Sequence, residues 1–117
     1  MLACAEGRLA IETITTHPGA AVCVVLAADG YPERPRAGDP IHGTEAALQS
    51  GALVFHAGTG ERDGRLVTSG GRVLSVVGTG ADLAAAAERA YAAADMIQFD
   101  GMQLRRDVAM SLVSLPA

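Results

Sequence analysis

The residues best equipped for chemistry are Gly70, Gly71 and Arg72, inside the run GRLVTSGGRVLSVVGTG at 64–80. A phosphate group is held by backbone N–H donors that converge on one point, together with a fixed positive charge. Two residues without a Cβ let the backbone approach an anion closely. Arg72 adds a planar guanidinium that stays charged near neutral pH. The trio has the parts of a phosphate site. A geometric reading competes with it, because Gly-Gly pairs also serve as hairpin turns and arginine is common on surfaces. The residues alone leave both readings open.

Other chemically capable residues carry less. His17, His42 and His56 are far apart, with no Cys or carboxylate at ligand spacing, so no metal site is expected. Gly78-Thr79-Gly80 stands where a dinucleotide fingerprint would begin, but the third glycine position is Leu83. It reads as a structural turn. Cys23 lies within the apolar run AVCVVLAA and is expected to be a buried, inert thiol. A Cys23–His56 nucleophile pair has no support beyond composition, and no catalytic residue is assigned.

Composition narrows the class. The chain has 117 residues, enough for one domain spanning 1–117. All nine basic residues are arginine, and the net charge is −4. With no lysine there is no Walker A lysine and no Schiff-base lysine. Mild acidity without a basic stripe argues against nucleic acid as a partner. No apolar run approaches the ~18 residues of a membrane span, and the N-terminus lacks the basic and apolar regions of a signal peptide. A cytoplasmic protein is expected.

The elements that must position Arg72 follow from periodicity. Residues 2–9 resemble the end of a helix. Gly19 to Ala28 is a Val-rich strand. Residues 29–43 hold three prolines and three glycines and form a long loop. Thr44 is expected to cap a short helical turn. Strands are expected at 52–57, 65–69 and 72–78, with turns at Asp63-Gly64 and Gly70-Gly71, making an antiparallel meander. A helix at 82–97 carries the stripe Leu83, Ala87, Ala90, Ala94 and Ile97, with Thr79 and Asp82 as a capping box. The tail from Phe99 is expected to be strand or turn, then a final short helix. The fold class is α+β: a small antiparallel sheet packed against one long helix and short helices.

Five segments go further: VVLAADGYP (24–32), VFHAGT (54–59), DGRLVTSGGRVLSVVG (63–78), AAERAY (86–91) and FDGMQLRRD (99–107). In this order and spacing they resemble the C-terminal domain of phosphoribosylamine–glycine ligase, also called glycinamide ribonucleotide synthetase, in the ATP-grasp superfamily. The resemblance covers the chain from about Leu2 to Ala109. It implies a ligase of purine biosynthesis that joins glycine to 5-phosphoribosylamine through an acyl phosphate. ATP and Mg²⁺ would serve the complete enzyme and be bound by its ATP-grasp module, with no cofactor in this chain.

The resemblance also implies that this domain closes one side of the active site and helps hold the phosphoribosyl substrate. Gly70, Gly71 and Arg72 would face that substrate, with His56 and Thr59 bordering the pocket. The family commonly has Lys-Gly after Tyr-Pro, where this chain has Ala37-Gly38 with Arg36 beside it. The abrupt start at Met1 reads as a piece cut from a larger enzyme. Such a piece is expected to be inactive alone, to partner the missing ATP-grasp module, and to self-associate through the former interface. The alternative is a freestanding, non-catalytic module that binds a phosphorylated metabolite or a partner protein.

Overall fold

The computed structural model describes residues 1–110. It contains five strands: β1 (Ala20–Ala27), β2 (Leu53–His56), β3 (Thr59–Arg62), β4 (Arg65–Thr68) and β5 (Arg72–Gly80). Three α-helices accompany them: α1 (Leu2–Ala5), α2 (Thr44–Gln49) and α3 (Leu83–Ala94). The α+β class with antiparallel pairing holds. The connectivity differs from a simple meander. β5 is central to a three-stranded sheet of order β1-β5-β2, while β3 and β4 form a separate two-stranded sheet.

The reason lies in which apolar residues need cover. In β1, Val22, Val24 and Leu26 are buried, and so are Leu74 and Val76 of β5. Val24 and Val54 both pair with Val76, which places them in one row. This face packs on α3, whose Ala86, Ala87, Ala90, Ala93 and Ala94 are buried. The small side chains let the helix come close. A Cβ on Gly80 would sit 2.7 Å from the Ala85 Cβ, and one on Gly78 would overlap the α3 backbone at Ala86 and Ala90. Gly78-Thr79-Gly80 is therefore the end of a strand fitted beneath a helix, and not a turn.

Among the described residues, the opposite face of the sheet has little cover. Cys23 and Leu53 pair with Val77, and Val25 and Phe55 pair with Ser75. Val25, Leu53 and Phe55 are 39%, 49% and 54% exposed. Cys23 is on this side and is exposed, contrary to the expectation of a buried thiol. Its run is apolar throughout, but only alternate residues are covered. His56 lies three residues along β2 from Leu53, the residue in Cys23's row, and alternation turns it to the other face, so the two do not form a pair.

Ends and turns show similar local substitutions. Asp82, not Thr79, is the N-cap of α3, and its carboxylate accepts from the Ala85 N–H at 2.8 Å. Gly43 with φ +90° precedes α2, so Thr44 is the first helical residue and not the cap. The Asp63-Gly64 turn is as expected, with positive φ at both residues, joining β3 to β4. The N-terminal region is a four-residue helix followed by a 3₁₀ turn at Leu9–Ile11. The closing helix expected in the tail lies outside the described residues.

Candidate functional site

Arg72 begins β5 just after the chain leaves β4 for the other sheet. Gly70-Gly71 is thus a crossing between sheets, not a hairpin turn, and neither glycine has positive φ. Both glycines have a structural cause. A Cβ on Gly70 would lie 3.2 Å from the Gly58 Cα, and one on Gly58 would lie 2.8 Å from the Gly70 Cα, so two backbones pass in contact. A Cβ on Gly71 would overlap the ring of Tyr31.

This crossing leaves donors unused. The Gly71 carbonyl accepts from the Ala28 N–H at 2.8 Å, and the Ser69 N–H donates to Gly58 at 2.8 Å. Among the described residues, the N–H groups of Gly70 and Gly71 have no acceptor, and the Arg72 guanidinium has no carboxylate or carbonyl partner. They border an open cleft of about 530 Å³, whose other walls are Tyr31, Pro32, Pro35, Ala57, Gly58 and Ser69. Free N–H donors beside an unpaired guanidinium are what an anion needs.

The long loop supplies the facing wall, and it is anchored. Gly38 and Ile41 donate to Thr68 and Leu66 at 2.7 and 2.9 Å, and the Thr68 N–H donates to Asp39 at 2.9 Å. Pro40 bridges Val67, so the loop runs beside β4 as an irregular third strand. The Thr68 side chain, 1% exposed, is satisfied by the Asp39 N–H and the Arg36 carbonyl. Arg36 ion-pairs with Asp39 at 2.7 Å and Asp29 at 3.3 Å. The hydrogen bond and charge of Asp39 push the Arg36 pKa up further. Arg36 therefore holds the loop together. At the loop's start, a turn from Ala28 to Arg34 brings Tyr31 onto Gly71.

His56 and Thr59 are bonded to each other, Nδ1 to Oγ1 at 2.9 Å. The cleft is lined from that strand by Ala57 and Gly58, the two residues between them. Tyr31, Pro35 and Gly58 were not singled out from the sequence. The Tyr31-Pro32 pair in the long loop is a local signal for Tyr31 alone. Among the described residues, no three His, Cys, Asp or Glu side chains are grouped to hold a metal ion. No described helix is long and apolar enough to cross a membrane.

Residues 21–111 match the family model for the phosphoribosylglycinamide synthetase C domain. The chain belongs to that family. It is 46% identical over 109 residues to a phosphoribosylamine–glycine ligase of Synechocystis, covering 92% of this chain and 26% of the relative. A ligase of the same name from Neisseria meningitidis serogroup A is 51% identical over 105 residues, or 89% of this chain and 25% of the relative. The crystal structure of the Thermotoga maritima phosphoribosylamine–glycine ligase superposes with a TM-score of 0.77 at 44% identity. That match covers 92% of this chain and 26% of the other. The chain thus spans about a quarter of the length of the relatives it matches.

Proposed function

We propose that this chain acts as the C-terminal domain of a phosphoribosylamine–glycine ligase of the ATP-grasp type, in purine biosynthesis in the cytoplasm. Its role is to wall one side of the active site and hold the phosphoribosyl group of 5-phosphoribosylamine. The observation that carries this is the cluster of unused donors: the Gly70 and Gly71 N–H groups beside the unpaired Arg72. The guanidinium meets the substrate phosphate, and the glycine amides complete its cradle.

Chemistry at the glycine carboxylate belongs elsewhere in this reading. Acyl phosphate formation needs ATP positioned with Mg²⁺. The chain has no lysine, and its described residues offer no grouped ligand set for the metal. In this reading ATP and Mg²⁺ are assigned to the ATP-grasp module. What this domain contributes is binding and orientation, which lower the entropic part of the barrier.

The test is a chimera in which this chain replaces the matching quarter of the Neisseria meningitidis ligase. It is expected to release ADP in a glycine- and phosphoribosylamine-dependent manner. The chain by itself is expected to release none above a no-protein control. A chimera that folds and binds ATP but forms no glycinamide ribonucleotide would overturn the reading. In that case the freestanding module would be the better account.

A further inference from the structure

Tyr31 and Arg72 also wall a second cavity, of about 310 Å³, together with Val25, Ala27, Gln103, Leu104 and Arg105. Two arginines thus line one small, largely apolar cavity. Register explains how they meet. Ala27 pairs with Arg72 on one side and bridges Gln103 on the other. Arg72, Ala27 and Gln103 form a row across the sheet, and Arg105 follows two residues beyond Gln103.

The segment bearing Arg105 is held from several sides. Ala27 and Gln103 exchange backbone hydrogen bonds of 2.8 and 2.9 Å, and the Gln103 amide donates to the Ala28 carbonyl at 3.0 Å. The Tyr91 hydroxyl donates to the Arg105 carbonyl at 2.6 Å and accepts from the Val108 N–H at 3.0 Å. Asp107 grips one edge of the Arg105 guanidinium, Oδ1 to Nε at 3.0 Å and Oδ2 to Nη2 at 2.7 Å. That grip uses two of the five N–H donors and fixes the plane of the group. Three donors remain for a ligand.

We infer that Arg105 is a second phosphate-binding residue. A phosphate seated on Arg72 is met by Arg105 from the side of the 310 Å³ cavity, away from Gly70 and Gly71. Asp107 and Tyr91 act as positioning residues for it. Paired guanidiniums suit a phosphate monoester, which presents several acceptor oxygens in different directions. This assignment rests on the reading of Arg72 as the phosphate contact.

The test uses the 117-residue chain, ¹⁵N-labelled and titrated with ribose 5-phosphate. The Nε–Hε resonances of Arg72 and Arg105 are expected to move together with one apparent Kd. Arg105→Gln should weaken binding about tenfold or more, as expected for loss of a charged hydrogen bond. Arg105→Lys should restore part of it. The Arg105 side chain is 79% exposed, so these changes leave the core alone, and the backbone amide spectrum checks this. Movement of Arg72 without Arg105, or unchanged affinity in Arg105→Gln, would overturn this inference and leave the Arg72 reading standing. If neither arginine moves, both fall.

Discussion

Tyr31 lies against Gly71 so closely that a Cβ at Gly71 would overlap the Cδ2 and Cε2 atoms of the ring. The contact joins the long loop to the start of β5 and sets the width of the cleft beside Arg72. Gly71→Ala is expected to push the ring outward and destabilise the fold by about 1–3 kcal/mol, the usual cost of forcing extra atoms into a packed place. Tyr31→Ala should remove most of that penalty, because the obstruction goes with the ring. Urea denaturation of the two single variants and the double variant measures this coupling. Additive effects would show that Tyr31 and Gly71 do not constrain each other.

Gly78→Ala should cost more. Its Cβ would meet the backbone of α3 at Ala86 and Ala90, which no rotamer change can relieve. The helix must shift off the sheet, and most of the core sits between them. A loss of about 3 kcal/mol or more, or failure to fold, is the expected outcome. A variant with wild-type thermal stability would contradict the close helix–sheet fit.

The fold was readable where local chemistry decides. β1 follows from its valines, the Asp63-Gly64 turn from its need for positive φ, and α3 from its alanine stripe. Failures came where distant partners decide. β3, with the sequence TGER, has no apolar alternation and is a strand because β4 pairs with it. Gly70-Gly71 looked like a hairpin because β4 and β5 are adjacent in sequence, although they join different sheets. The apolar run around Cys23 predicts burial, while among the described residues helix α3 covers only the other face. In the site, Arg72 stood out as a fixed charge after two glycines. Tyr31 and Arg105 come to line one cavity with Arg72 through the loop and the Ala27–Gln103 bridge, which no local pattern encodes.

Asp107 supplies a pH-dependent term. The hydrogen bond from Arg105 is the leading cause that holds its carboxyl below the ordinary range. A lowered folded-state pKa gives stability that is fully present above the unfolded value of about 4 and is lost as pH falls through the folded value. The difference in stability between the wild type and Asp107→Asn should therefore be flat from neutral pH down to about pH 5 and shrink below about pH 4. A difference that grows on acidification has the wrong sign for this pair. The group is exposed, so the effect is small.

The exposed sheet face predicts association. Val25, Leu53 and Phe55 leave apolar side chains exposed on neighbouring strands of one sheet face. In isolation the chain is expected to form dimers or larger species as concentration rises. Leu53→Glu with Phe55→Glu should shift the population toward monomer in sedimentation velocity, with the fold intact by circular dichroism. Equal association by this double variant would place the contact elsewhere.

The central claim is that Arg72 holds the substrate phosphate, and steady-state kinetics of the chimeric ligase carrying Arg72→Gln test it most directly. Loss of a charged hydrogen bond is worth about 1.5–3 kcal/mol, or roughly ten- to more than a hundredfold. The apparent KM for phosphoribosylamine is expected to rise by that factor, while the KM for ATP and the thermal stability stay nearly constant. An unchanged KM for phosphoribosylamine would contradict the account, and the glycines beside Arg72 would then serve only the crossing of Gly58 over Gly70 and the seating of Tyr31 on Gly71.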